Sequence, residues 1–131
     1  MLSPVSGETL DLWRELAREV SDALNHAGVP SYLAWDAWDK PGVRVEVEVD
    51  ASDDEAGGVF INWVPGTKLH EDVLEDTRSG RQATPAHRLY GSVALCMQGA
   101  TIGILSASGY EAVPFNDGMN PPSVRVVGPE V

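Results

Sequence analysis

Cysteine is nearly absent: Cys96 is the single one in 131 residues. One cysteine excludes an internal disulfide and any multi-cysteine zinc site within the chain, and it fits a reducing, cytoplasmic setting. Positive charge is scarce too, with nine Lys and Arg against 20 Asp and Glu, for a net charge of −11. Such a balance repels nucleic-acid phosphate and anionic lipid, so neither is expected as a partner, and a basic protein is the favoured one. Histidines number three. His70 opens the run HEDVLED, but the H-E-x-x-H zinc pattern needs a second histidine where Leu74 stands. Gly99-Ala-Thr-Ile-Gly103 has neither the lysine of a phosphate loop nor the third glycine of a dinucleotide fingerprint. No metal, no cofactor and no catalytic constellation is therefore expected. The first ten residues carry neither a basic cluster nor an apolar run, so no secretory leader is expected.

What is present is enough for a core. Hydrophobic residues make up 43% of the chain, and four of the nine aromatic residues are tryptophans. A chain of this length is one domain, residues 1–131, able to fold without metal or disulfide. The charge is uneven. Residues 1–76 hold 17 acids and five bases, whereas residues 77–131 hold three acids and four bases. An acidic surface favours solubility by itself, and a specific electrostatic role needs further support.

The clearest helix covers residues 8–27, where Leu10, Trp13, Leu16, Ala17, Val20, Ala23, Leu24 and Ala27 recur at spacings of three and four. Gly28 and Pro30 end it. The period then changes to two. Ser31 to Trp38 alternates loosely and predicts a strand with Trp35 and Trp38 on opposite faces. Lys40-Pro41-Gly42-Val43 predicts a type II turn. Val43, Val45, Val47 and Val49 alternate with Arg44, Glu46, Glu48 and Asp50, a half-buried strand whose register is strongly set because a slip would expose four valines. A polar loop over 51–58 leads to a third strand at 59–64, apolar on both faces and so central or doubly covered.

Residues 67–83 predict no more than one helical turn followed by exposed loop. Thr84-Pro85 is a helix start, and helical spacing continues to about residue 106. Leu89 to Tyr110 has no charged residue and is long enough to span a bilayer, but its glycines, serines and Gln98 favour a buried helix of a soluble domain. There, small residues allow close approach to the sheet, and Cys96 acts as a buried small hydrophobe. Strands are expected at 110–115 and 123–127.

These readings together predict an α+β fold: a two-layer sandwich with an antiparallel sheet, made of a three-stranded meander plus two C-terminal strands, packed with two helices. The order of elements resembles that of small acidic secretion-chaperone domains at the level of fold, through no sequence motif. The leading functional expectation is a non-enzymatic, acidic protein-binding module of chaperone, toxin-neutralising or accessory-regulator type, dimeric, with Trp35, Trp38, Trp63, Glu46, Glu48 and Asp50 as its binding residues. The alternative is a small-molecule or enzymatic pocket between sheet and helix. Whether the second helix covers the free face of the sheet or shares the first helix's face separates a closed core from an open aromatic surface.

Overall fold

The computed structural model describes residues 6–49, 57–116 and 121–130. Its elements run α1 (Gly7–His26), β1 (Ser31–Leu33), β2 (Gly42–Glu48), β3 (Gly58–Val64), α2 (Thr67–Arg78), α3 (Pro85–Ala107), β4 (Tyr110–Phe115) and β5 (Ser123–Pro129). The five strands form one sheet in the order β1-β2-β3-β5-β4.

Helix α1 starts where Ser6 accepts a hydrogen bond from the Thr9 N–H at 3.1 Å, satisfying one of the free donors of the first turn. It presents Ala17, Val20 and Leu24, all fully buried, to the sheet. Asn25 then docks the next strand. Its amide oxygen accepts from the Ser31 N–H and its amide nitrogen donates to the Ser31 carbonyl, both at 2.9 Å. Beside it the buried Ser21 hydroxyl meets the Ser31 hydroxyl at 2.9 Å. One side chain thus supplies the backbone partners that Ser31 would otherwise lack at this end of the strand.

The antiparallel meander is corrected here. Strand β1 has three residues, not eight, and pairs parallel to β2 with Ser31 opposite Val43 and Leu33 opposite Val45. The chain leaves the sheet at once, since the N–H groups of Asp36 and Ala37 both return to the Leu33 carbonyl. Parallel neighbours cannot be joined by a tight turn, because the chain must travel back along the strand before re-entering. Residues 34–41 make that return, so Trp35 and Trp38 sit in a connection and not on a strand. Gly42 belongs to β2, opposite Val64, with φ +129°, and its carbon approaches the Pro30 carbonyl, which accepts from the Val43 N–H at 2.9 Å.

The alternation of β2 holds for three of the four valines, since Val49 lies past the end of the strand and is half exposed. Val43, Val45 and Val47 lie opposite Trp63, Ile61 and Val59 of β3, while Arg44, Glu46 and Glu48 lie opposite Asn62, Phe60 and Gly58. Strand β3 is central, paired antiparallel to β2 on one side and to β5 on the other. Strands β4 and β5 pair antiparallel, with an irregularity between Glu111 and Ala112 that leaves Val127 without an opposite residue.

Both long helices cover the valine face. One cluster joins Ala17, Val20 and Leu24 of α1, Leu105 of α3, and Val43, Val45, Val59, Ile61, Val124 and Val126 of the strands. Helix α3 is capped by Thr84, which accepts from the His87 N–H, with Pro85 in the first turn. It is tied to the sheet by buried Gln98, whose amide nitrogen donates to the Ser123 carbonyl at 2.7 Å and to Asn116 Oδ1 at 2.9 Å. The expected full burial of α3 is not what the fold does. Ala94, Gln98, Thr101 and Leu105 form the buried stripe, whereas Leu89, Leu95 and Cys96 are exposed. The glycines do not mediate close approach either: a methyl group built on Gly91, Gly99 or Gly103 meets nothing within 4 Å. Among the described residues α3 is the one helix long and apolar enough to cross a membrane by length and composition.

Helix α2 replaces the expected loop over most of residues 67–83. It buries no side chain and rests on α3, which is why hydrophobic spacing did not reveal it. Surface pairs support it, Lys68 with Asp72 and Arg81 with Asp76, each at 2.8 Å. His87 links the two helices, meeting the Thr77 hydroxyl at 3.2 Å and the Thr84 hydroxyl at 2.8 Å.

Two glycine substitutions test this description in opposite directions. Gly99→Ala raises stability by roughly 0.5–1 kcal/mol, the helix-propensity difference in open space. Gly42→Ala lowers it by about 1–3 kcal/mol, since its positive φ resists a side chain and its Cβ would stand 3.0 Å from the Pro30 carbonyl oxygen. Urea unfolding of both variants measures the pair; a loss at Gly99 would mean that α3 is covered on its outer side.

Candidate functional site

With α1 and α3 on the valine face, the opposite face of the sheet is left to a different set of side chains. Strand alternation places Arg44, Glu46 and Glu48 of β2 there beside Phe60 and Asn62 of β3. Phe115 of β4 joins them, its ring meeting Phe60 edge-on with centroids 5.1 Å apart. Around this floor the rest of the chain builds walls. Trp38 and Asp39 come from the β1–β2 connection, Thr67 and His70 from α2, Tyr90 from the first turns of α3, and Pro121, Pro122 and Ser123 from the entry to β5. Trp63, Val64 and Pro65 complete a cleft of about 650 Å³. That volume lies in the range of clefts that hold small organic ligands, which are mostly apolar with a few placed polar groups.

The polar groups of this cleft are unusual for a sheet surface. The Arg44 guanidinium lies 3.8 Å from the Trp38 ring centroid and donates to the Trp38 carbonyl at 2.8 Å. A cation over an indole face is held by the ring quadrupole, so Trp38 covers Arg44 although its own side is 60% exposed. Glu46 is only 8% exposed. Its Oε2 lies 3.3 Å from Arg44 Nε, within ion-pair distance, yet neither atom makes a hydrogen bond, because the N–H does not aim at the oxygen. The charges attract without the alignment that makes such a pair strong.

Glu46 is accordingly pushed up to about 7. Burial is the main cause, and a hydrogen bond with the Glu48 carboxyl, which needs a proton on one partner, adds to it. Arg44 pulls the other way and is outweighed. Tyr90 is raised as well, by burial, with Arg44 opposing. The cleft therefore holds a carboxyl group that changes charge near neutral pH, in contact with an arginine and lined by aromatic rings. A carboxyl so placed can accept or deliver a proton to a bound molecule without a large change in pH.

The residues expected from sequence divide. Trp38, Glu46 and Glu48 come together around the cleft, whereas Trp63 touches its edge but lies opposite Val43 on the helical face, packed against the core. Trp35 does not: it is 46% exposed on the outside of the β1–β2 connection, with the Arg18 guanidinium 5.7 Å from its ring. Asp50 falls outside the described residues. The expectation that the outer face of β2 is wet is corrected for Glu46, which is buried, and holds for Glu48, which is exposed. Cys96, expected buried, is exposed on α3. Arg44, Phe60, Asn62, Tyr90 and Phe115 were missed. The available signal was a basic residue between valines on an otherwise acidic strand face, next to a third strand apolar on both sides. Among the described residues no group of three His, Cys, Asp or Glu side chains converges as metal ligands.

Comparison with protein-family models, with curated proteins and with solved structures finds no match to this chain.

The raised carboxyl makes a pH prediction with a definite sign. The folded form holds the Glu46 proton more tightly than the unfolded chain, so its contribution to stability is full below about pH 4.5 and is lost as pH rises through about 7. The loss amounts to roughly 3 kcal/mol, at about 1.4 kcal/mol for each pH unit between the ordinary value and about 7. Glu46→Gln, which cannot ionise, removes that component. The difference in unfolding free energy between the parent and Glu46→Gln, measured by urea at several pH values, therefore shifts in favour of the variant between pH 5 and 8. A constant difference would show that Glu46 ionises at its ordinary value.

Proposed function

We propose that this domain binds a small organic molecule in the cleft on the free face of its sheet, with Glu46 as the group that exchanges a proton with it. The observation that carries the reading is the burial of Glu46 at the floor of the cleft without an aligned partner for its Oε2. A buried carboxyl oxygen lacking a hydrogen bond costs about 1–3 kcal/mol, and a ligand that donates to it recovers that cost. The aromatic lining supports the same reading, since Phe60, Phe115 and Tyr90 give apolar contact while Asn62 and His70 offer direction. The arrangement also has the elements of acid–base catalysis, a tuned carboxyl beside an arginine, and an enzymatic role would use Glu46 as the proton donor or acceptor.

A mixed set of neutral, cationic and anionic fragments, added to isotope-labelled protein and followed through backbone amide signals, tests the reading. The expected result is a set of shifts centred on Arg44, Glu46, Asn62 and Tyr90 for some fragments and not others. Shifts confined to the helical layer, or none for any fragment, would reject it.

The second reading, a non-enzymatic protein-binding module that pairs with itself or a basic partner, draws on a separate observation. The outer side of α3 exposes Leu89, Leu95, Cys96, Gly99 and Gly103 with no charge among them. Small residues of this kind let helices approach closely. Light scattering decides it: a dimer that Leu95→Glu converts to monomer supports pairing through α3, and a monomer at every concentration removes it.

A further inference from the structure

The same cleft constrains the charge and shape of what it takes. Its lining carries three carboxyl groups, Asp39, Glu46 and Glu48, against the guanidinium of Arg44, with Arg125 behind the Phe60 ring at 5.9 Å and bonded to the Gly57 carbonyl. The Arg44 guanidinium is already engaged, stacked at 3.8 Å from the Trp38 centroid and bonded to the Trp38 carbonyl. An anion entering here would meet carboxylates and a cation whose face is covered. A cation would meet the opposite: carboxylate oxygens, one of them buried and without a hydrogen bond, among aromatic rings whose faces are electronegative. Phe60 and Phe115, packed edge-on in the floor, and Tyr90 in the wall give the remainder of the ligand aromatic surface to stack on.

We propose that the cleft selects small flat aromatic cations whose charge is an amidinium or guanidinium group, and that Glu46 is the carboxylate that receives it. This rests on the small-molecule reading above. A planar group with two parallel N–H donors matches a carboxylate in a way that a single ammonium does not. Arg44 leaves Oε2 without an aligned donor and the atom is closed to solvent, so the ligand bonds it by drawing the Glu46 carboxyl toward the cleft. The bound cation takes the place of the Glu46 proton, so binding releases that proton to solvent and the charge of the cleft is balanced without it.

Three probes of one shape test the proposal: benzamidine, benzamide and benzoate, followed by amide shifts on the intact protein. Benzamidine is expected to bind at the cleft at least about ten-fold more tightly than benzamide, the gain typical of a charge-assisted hydrogen bond, and benzoate more weakly than either. Glu46→Gln weakens benzamidine far more than benzamide and brings the two together, while amide signals away from the cleft stay those of the parent, which a misfolded variant would not do. Because the cation favours ionised Glu46, its affinity is several-fold higher at pH 8 than at pH 5.5 in the parent protein, roughly seven-fold where the neutral carboxyl binds it ten-fold more weakly. Asp39, Arg44 and Glu48, His70 of α2 and Tyr90 of α3 line the same cleft, so the pH comparison is made against Glu46→Gln, in which that dependence on Glu46 disappears. Equal binding of benzamide or benzoate overturns the charge selection while leaving the cleft as a binding site. Absence of benzamidine shifts while other fragments occupy the cleft overturns the ligand class. Failure of every fragment to perturb the cleft overturns the small-molecule reading itself. Tighter binding of an arginine amide than of benzamidine overturns the choice of an aromatic ligand.

Discussion

The register of β2 against β3 governs this molecule. Three valines point to the helices and three charged residues point away, and a shift by one would bury Arg44, Glu46 and Glu48 beneath α1. Apolar burial at about 25 cal/mol per Å² makes that arrangement decisive for the helical side. The other side is chosen by default. Whatever alternates with the valines must occupy the second face, and the fold then treats part of that face as an interior by closing Trp38, α2 and the entry to β5 around it.

The parallel pairing of β1 is what brings Trp38 to this place. An antiparallel hairpin would have kept residues 35–38 in the sheet, with Trp38 at a strand position. The return connection needed by a parallel pair lifts them out, and Arg44 holds the end of that connection through the Trp38 ring and carbonyl. The same contact engages the guanidinium, so Arg44 cannot neutralise Glu46 with good geometry. A buried carboxyl with a neighbour of like charge and a poorly aligned arginine retains its proton to near-neutral pH. Packing of a loop and tuning of a carboxyl are thus one event.

The architecture is α+β, with a five-stranded mixed sheet, mostly antiparallel, and three helices. The first long helix was visible from its apolar stripe and the Gly28 and Pro30 that end it, the second from its Thr84-Pro85 start; the Ser6 cap of the first came only with the structure. Helix α2 was hidden because it buries nothing, and periodicity reports burial and not helicity as such. The glycines of α3 misled for a related reason. Glycine in a helix suggests a close neighbour, but here the neighbour is solvent. Of the site, the tryptophans and glutamates were legible as residue types on β2, β3 and the segment before them. Tyr90 and Phe115 were not, since they reach the cleft from elements distant in sequence.

From its order of residues alone, this chain determined the valine and charged faces of β2, the central place of β3 and the ends of its long helices. Those follow from local period, capping and the cost of exposing apolar side chains. Tertiary structure decided the rest: that β1 runs parallel, that both long helices share one face, and that Glu46 is buried and not wet. Each of these depends on which surfaces meet across the fold. The fate of the charged face of β2 is therefore a property of its neighbours, even though its existence is a property of the strand.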